Sequence, residues 1–394
     1  MLYVVIVALG ASTALPHAGR SAPATPLTVK VPDDPLFKYQ WHLQTMQVPA
    51  AWTVSRGAGA TVAVLDTGVA YESRGRYRRA PDLAGTRFVA GRDFVANDAH
   101  PDDVPRSGGR RSHGTQMAGI IAQTTGNRLG GAGVAPEAAI MPVRVLNPDL
   151  SGSAKVIARG LRFAADHGAD VASVSIAGPK ASRVLEDAVD YASAKGMTIV
   201  AAAGNDGRPS VSWPAAYPNV IAVGAVGRDG ARAPYSNYGE ALDLVAPSGA
   251  GSDVETGYGP EDGVLAQTLK GGPGRFCFCF TASTSAAAAQ VSGVVALLVG
   301  SERATSPAAI RSALLSSTQD LGGPGRDSEH GAGLVQARSA LAAALPPSAS
   351  RPTQTPRGSS SSSRAVWLPL AMAGSGLAAL GALLLMRRER RRAA

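Results

Sequence analysis

Six apolar runs of strand length, separated by stretches of helical periodicity, constrain this chain more than any other feature of it. The runs are "ATVAVLD" (60–66), "AIMPVRVL" (139–146), "ADVASVSI" (169–176), "MTIVAAAG" (197–204), "VIAVGAV" (220–226) and "ALDLVAP" (241–247). Their apolarity is continuous rather than alternating, the pattern of strands covered on both faces, as in a parallel sheet. Helical patterns fall at 113–125, 153–168 and 182–196, the last with Val184, Leu185, Ala188, Val189 and Ala192 at i, i+3, i+4 spacing. This alternation predicts an α/β domain, a doubly wound and mainly parallel sheet with helices on both faces. Such sheets build their sites outside the carboxyl ends of the strands.

The ends of the chain read differently. Residues 1–22 open with "MLYVVIVALG" followed by small residues around Ala18, the pattern of a signal peptide or N-terminal anchor without a basic leading segment. Residues 23–37 form a short pre-domain segment, and the folded domain is expected over 38–344. A Pro/Ser/Thr-rich stretch, 345–364, reads as a stalk. Residues 365–386, "AVWLPLAMAGSGLAALGALLLM", carry no charge and are long enough for a transmembrane helix. The basic tail, 387–394, then places the cytoplasm after the span and the domain outside the cell membrane.

The formal charge of +9 raises nucleic acid as a partner. No aromatic residues interleave with the basic ones, and part of the excess sits in the C-terminal "RRERRR", so nucleic-acid binding is not expected. Two cysteines, Cys277 and Cys279 in "RFCFCF", cannot complete a four-ligand zinc site. At i,i+2 on a strand they are poorly placed to bridge, and they are expected as small buried residues.

Four residues stand where the sheet would build its site. Asp66 ends a strand in "VAVLDTG", His113 opens a helix in "SHGTQMAGIIA", Asn205 follows a strand in "AAAGNDG", and Ser285 opens a helix in "STSAAAAQVSGVVALL". Singly, each suits a turn or a cap. Together they supply an aspartate to orient an imidazole, an imidazole to take a serine proton, and an amide to donate to an oxyanion. The chain order Asp, His, Ser is the one the subtilisins use, and no G-x-S-x-G elbow of a lipase or esterase occurs.

These segments, with "ASVSIAGPKASRVLEDAVDYASAKGMTIVAAAGNDG", resemble the successive signatures of the subtilisin-like serine proteases over roughly residues 40–342. The resemblance implies a subtilisin-like fold and a serine endopeptidase acting on protein or peptide substrates. Asp66, His113 and Ser285 would be the triad, and Asn205 with the backbone N–H of Ser285 the oxyanion donors. Substrate would pair with Ser151, Gly152 and Ser153 on one side and Ser175, Ile176 and Ala177 on the other. Ala202, Ala203 and Gly204 would wall the pocket for the residue before the cut bond. No cofactor is implied and no metal is assigned; the family commonly binds calcium at loops, but no D-x-[DN]-x-[DN]-G pattern occurs here.

The chain departs from the family in ways that set expectations. Ser283, Ala286 and Ala289 replace a glycine, a methionine and a proline around the nucleophile, and Ala177 replaces a glycine on a substrate edge. A sharp backbone turn there would need glycine, so Ser283 in its place would shift the oxyanion geometry. Residues 23–37 are too few for an independently folded propeptide. A catalytically degenerate surface binding module is the alternative these departures favour. The order of signal, short segment, protease and anchor resembles the mycosins of type VII secretion, which implies that machinery as a partner. The arginines of "ESRGRYRRAPD" and "RSGGRRSHG" predict a loop rim that biases substrate charge toward acidic peptides. The connection "PSGAGSDVETGYGPEDGVLAQTLKGGPGR" (247–275) reads as a surface loop or flap.

Overall fold

The computed structural model describes residues 31–105, 111–251 and 262–344. The signal or anchor segment, the stalk, the apolar span at 365–386 and the basic tail lie outside the described residues, as does the start of the pre-domain segment. Among the described residues no helix is long and apolar enough to cross a membrane.

The strands are β1 (Thr61–Asp66), β2 (Arg87–Phe88), β3 (Arg92–Asp93), β4 (Ala139–Arg144), β5 (Val171–Val174), β6 (Thr198–Ala202), β7 (Val220–Val226), β8 (Leu244–Pro247), β9 (Val264–Leu269) and β10 (Phe276–Thr281). The α-helices are α1 (Trp41–Thr45), α2 (Val48–Ala51), α3 (Gly114–Ala122), α4 (Ala154–Asp166), α5 (Arg183–Ala194), α6 (Thr284–Gly300), α7 (Pro307–Leu315) and α8 (Ala337–Ala343). Each of the six predicted strands and three predicted helices is present, mostly trimmed by a residue or more at the ends.

The main sheet runs β2-β4-β1-β5-β6-β7-β8, with β3 also beside β4, and all its pairings are parallel. Alternate residues of one strand enter different cores. In β1, Val62 and Val64 pack with Met117 of α3 and the α6 residues Val291 and Val294. Ala63 and Leu65 pack with Leu161 of α4 and with Leu185 and Val189 of α5. Both faces are dry, which is why the sequence shows no alternation. The chain leaves β1 and reaches β4 on one side, while β5 returns on the other, so the strand order reverses at β1 and a crevice opens beyond its carboxyl end.

Helix α6 is the spine of one layer. Every residue from Thr284 to Leu298 is buried, so an all-apolar and small-residue sequence is what the position demands. Two polar side chains midway along it are anchored by donation: Gln290 Nε2 donates to Pro247 O at 2.6 Å, and Ser292 Oγ donates to Ala288 O at 2.8 Å.

Part of the connection expected as a surface loop or flap is structured. Strand β9 is buried at all six residues and pairs antiparallel with β10, from Val264 opposite Thr281 to Leu269 opposite Phe276. Its polar residues are anchored by distant groups: Asp82 N donates to Gln267 Oε1 at 2.7 Å and Thr268 Oγ1 to Ser112 O at 2.6 Å. The cysteine expectation is also corrected. Cys277 and Cys279 of β10 form a disulfide. Their Cα atoms lie 5.5 Å apart, inside the range a bridge spans, so the strand brings i and i+2 close enough.

Candidate active site

The last residue of β1, Asp66, is fully buried at the carboxyl edge of the sheet. The backbone N–H of Thr67 donates to its Oδ1 at 2.7 Å. Immediately before α3, His113 places Nδ1 at 2.9 Å from Asp66 Oδ1 and 2.8 Å from Oδ2. This approach depends on the next residue: a Cβ on Gly114 would lie 2.1 Å from Gly68 O and 3.0 Å from Asp66 Cβ. The His-Gly step is therefore a packing requirement of the pair.

Behind the pair lies a buried carboxyl that the motifs did not single out. Asp103 Oδ1 accepts from Thr67 Oγ1 at 2.8 Å, and Oδ2 accepts from Thr115 N at 2.9 Å and Thr115 Oγ1 at 2.6 Å. Thr67 Oγ1 in turn accepts from Gly114 N at 3.0 Å. The carboxyl thus ties the residue after Asp66 to the second residue after His113. Burial pushes it up to about 6, against the lowering effect of the Thr115 and Thr67 hydrogen bonds and with Asp66 adding repulsion. A threonine follows both motif residues, in "DTG" and "HGT", and this repetition was the sequence signal for the network.

The serine stretch sorts itself by helix position. Ser283 is the N-cap of α6, and its hydroxyl accepts from Ala286 N at 3.2 Å. Its φ of −170° is extended backbone open to any residue, so no glycine is required there. Ser248 clamps it from both sides, with Ser283 N donating to Ser248 Oγ at 3.1 Å and Ser248 Oγ donating to Ser283 O at 2.8 Å. Ser285 is the second helical residue, 6% exposed, with its carbonyl accepting from Ser175 Oγ at 3.4 Å. Ala286 and Ala289 are fully buried within the helix, which continues unbroken without a proline.

Asn205 is exposed, and its orientation is set by Thr284. Its Oδ1 accepts from Thr284 N at 2.8 Å and from Thr284 Oγ1 at 2.9 Å. The NH2 of the amide has no protein partner among the described residues. Thr284 Oγ1 also accepts from Gly204 N at 3.2 Å, fastening the β6 loop to the start of α6. Gly204 adopts φ +111°, and a Cβ there would sit 2.3 Å from Asn237 Nδ2. Positive φ falls on Gly204 and Gly207, which flank Asn205 and Asp206.

The expected substrate-facing segments flank these residues. Ser175 is buried, Ile176 half-buried and Ala177 exposed beyond the end of β5. Gly178 then pairs with Trp213, N to O at 2.7 Å. Ser151, Gly152 and Ser153 form an exposed extended segment that ends where Ser153 caps α4, accepting from Val156 N. Ala202, Ala203 and Gly204 are buried at the carboxyl end of β6. Among the described residues no cluster of three or more His, Cys, Asp or Glu has the form of a metal site.

A doubly wound parallel sheet with an Asp–His pair at its switch point, and a serine at the start of the central buried helix, defines the class of serine peptidases with this architecture. The chain belongs to the subtilase family, whose model matches residues 57–333. It is 37% identical over 295 residues to thermitase of Thermoactinomyces vulgaris, covering 75% of this chain and 94% of thermitase. Subtilisin Savinase of Lederbergia lenta is 36% identical over 301 residues, covering 76% of this chain and 97% of that protein. A solved structure of a protease from Pseudoalteromonas arctica PAMC 21717 matches with a TM-score of 0.71 and 33% identity, covering 80% of this chain and all of that one. The chain is a subtilisin-like serine endopeptidase, with a subtilisin-like α/β fold.

Proposed function

We propose that Ser285 is the nucleophile, His113 its general base and Asp66 the orienting carboxylate of an endopeptidase tethered to the outer face of the cell membrane. The observation that carries the catalytic part is the contact of both Asp66 oxygens with His113 Nδ1 at 2.8 and 2.9 Å. That contact keeps the proton on Nδ1 and leaves Nε2 as the base. Nε2 takes the Ser285 proton as Oγ attacks the peptide carbonyl, then returns it to the leaving amine, and water repeats the cycle on the acyl-enzyme. Asp66 stabilises the imidazolium formed in each half. Negative charge gathers on the carbonyl oxygen, where the Asn205 amide and the Ser285 N–H receive it. The Thr284 clamp on Asn205 Oδ1 supports this role, because it holds the amide with its donor side outward. The segments 151–153 and 175–177 would pair with extended substrate, and 202–204 would wall the pocket beside the cut bond.

The tether rests on the uncharged run 365–386 and the arginines after it. The secretory character of residues 1–22 points the same way. The substrates would be extracytoplasmic proteins or peptides. The order of segments that resembles the mycosins makes a type VII secretion machinery the first partner to examine.

The test is labelling of the full-length chain in membranes with a fluorophosphonate, beside Ser285→Ala and Ser283→Ala. Labelling is expected to vanish only in Ser285→Ala. Ser283→Ala should keep its label and lose about 1 kcal/mol of stability with the cap. Equal labelling of the unmodified chain and Ser285→Ala would remove Ser285 from its role. Extraction of the protein by alkaline carbonate would do the same for the tether.

A further inference from the structure

The approach to His113 is sewn to the β9–β10 hairpin. Ser112 N donates to Leu269 O at 2.9 Å, Arg111 bridges Lys270, and the Arg111 guanidinium donates to Phe280 O. The hairpin turn then closes with Lys270 N donating to Arg275 O at 2.9 Å. The loop after β1 reaches the same turn: Tyr77 and Arg78 line one small depression with Pro273 and Gly274. The contact is close, since a Cβ on Gly274 would come within 2.9 Å of Arg78 Cγ. Arg76 lies over the Tyr77 ring at 5.3 Å.

Two segments far apart in sequence thus bring Arg76, Arg78, Lys270 and Arg275 onto one exposed surface. None of the four has a carboxylate partner among the described residues. Among the described residues, the acids around the arginine loop are already committed. Glu72 pairs with Arg74 at 3.0 Å and His100 at 3.1 Å, Asp102 pairs with Arg74, and Asp103 is buried beneath Thr67 and Thr115. A surface of unpaired cations beside a cleft attracts and orients a segment of opposite charge.

We infer that this collar, built from the arginine loop and the hairpin turn on the His113 side of the cleft, docks an acidic segment of the peptide substrate. The inference rests on the protease reading above and adds the substrate's chemistry to it. The two segments explain why sequence alone showed only half the collar: Lys270 and Arg275 join it through the hairpin pairing.

The test separates docking from cleavage. Full-length protein carrying Ser285→Ala is titrated with a fluorescent peptide bearing a Glu/Asp run, and with the same peptide carrying Gln/Asn. Both are repeated with Lys270→Glu and Arg275→Glu added, and at 0.5 M sodium chloride. The acidic peptide should bind about 3- to 10-fold more tightly at low salt, as expected for a few exposed charge pairs, with the advantage lost in high salt and in the charge-reversed protein. Equal binding of the two peptides, or an advantage that survives charge reversal, overturns the inference. Binding to phosphatidylserine vesicles through the same residues, without a preference for the acidic peptide, also overturns it and assigns the collar to the membrane. Cleavage of the neutral peptide by the unmodified chain, measured alongside, reports on the protease reading independently.

Discussion

Thr284 is the residue on which the geometry of the proposed oxyanion site is most exposed to test. Its hydroxyl donates to Asn205 Oδ1 at 2.9 Å and accepts from Gly204 N at 3.2 Å, while its own backbone N–H makes a second bond to the same Oδ1 at 2.8 Å. Thr284→Val keeps the β-branched shape and the backbone bond and deletes only the hydroxyl. Removing a whole oxyanion donor typically costs about 10² to 10³ in turnover, which bounds the effect from above. Losing one of the two bonds that aim Asn205 forfeits about 1 kcal/mol, so kcat should fall about 5- to 10-fold. KM should barely move, because the oxyanion contact forms in the transition state. The Gly204 N–H, left unpaired in a buried position, should cost about 1–3 kcal/mol of stability. The decisive measurement is a double-mutant cycle on kcat/KM with a small peptide substrate. In an Asn205→Ala background, Thr284→Val should cost less than about 2-fold, since the group it aims is gone. A full 5- to 10-fold loss in that background would refute the claim that Thr284 acts through Asn205, as would a rise in KM at unchanged kcat.

Asp103 titrates at about 6 in the fold against 3.8 unfolded, so the folded chain binds more protons between those values. This group therefore contributes stability that is lost as pH rises from about 4 to 6, roughly 3 kcal/mol over the window. In a Ser285→Ala background, urea melts should show a shallower fall across that window for Asp103→Asn than for Asp103, and parallel curves would sink the assignment. Gly204→Ala meets both a φ of +111° and side-chain atoms at 2.3 and 2.5 Å, on Asn237 and Ser212. It should destabilise the chain by about 2–4 kcal/mol and lower turnover more than 10-fold; a melting point unchanged from the parent would contradict the packing described.

The sheet was legible because its chemistry is written locally. A strand dry on both faces has to be apolar at every position, and Val62 to Leu65 of β1 show that requirement without reference to anything else in the chain. Observed strands stop short of the predicted ones where the apolar run continues into the site: Ala203 and Gly204 are buried as loop, not as strand. The hairpin was illegible for the opposite reason. Gln267 and Thr268 break the apolar pattern of β9, and only the distant groups of Asp82 and Ser112 make them tolerable inside. The bridge between Cys277 and Cys279 likewise depends on how closely the strand brings two Cα atoms, which composition does not encode.

The candidate site divides along the same line. Asp66 and His113 stand at element ends that periodicity predicts, and their contact follows once the sheet is parallel and Gly114 lets the helix approach. Which serine of "STSAAAAQ" should be proposed as their partner does not follow, because Ser283 and Ser285 differ in no local property. The fold separates them by two positions at a helix start. Ser283, in extended backbone, spends its hydroxyl on the Ala286 N–H, whereas Ser285 lies inside the first turn with its N–H among those that an α-helix leaves open at its start. Ser283 thus serves the helix, while Ser285, the proposed nucleophile, lies within its first turn. A glycine at 283, the family's usual residue, would leave that cap to water. The serine that looked like a departure from the family's motif is, in this fold, the cap that fastens the start of α6.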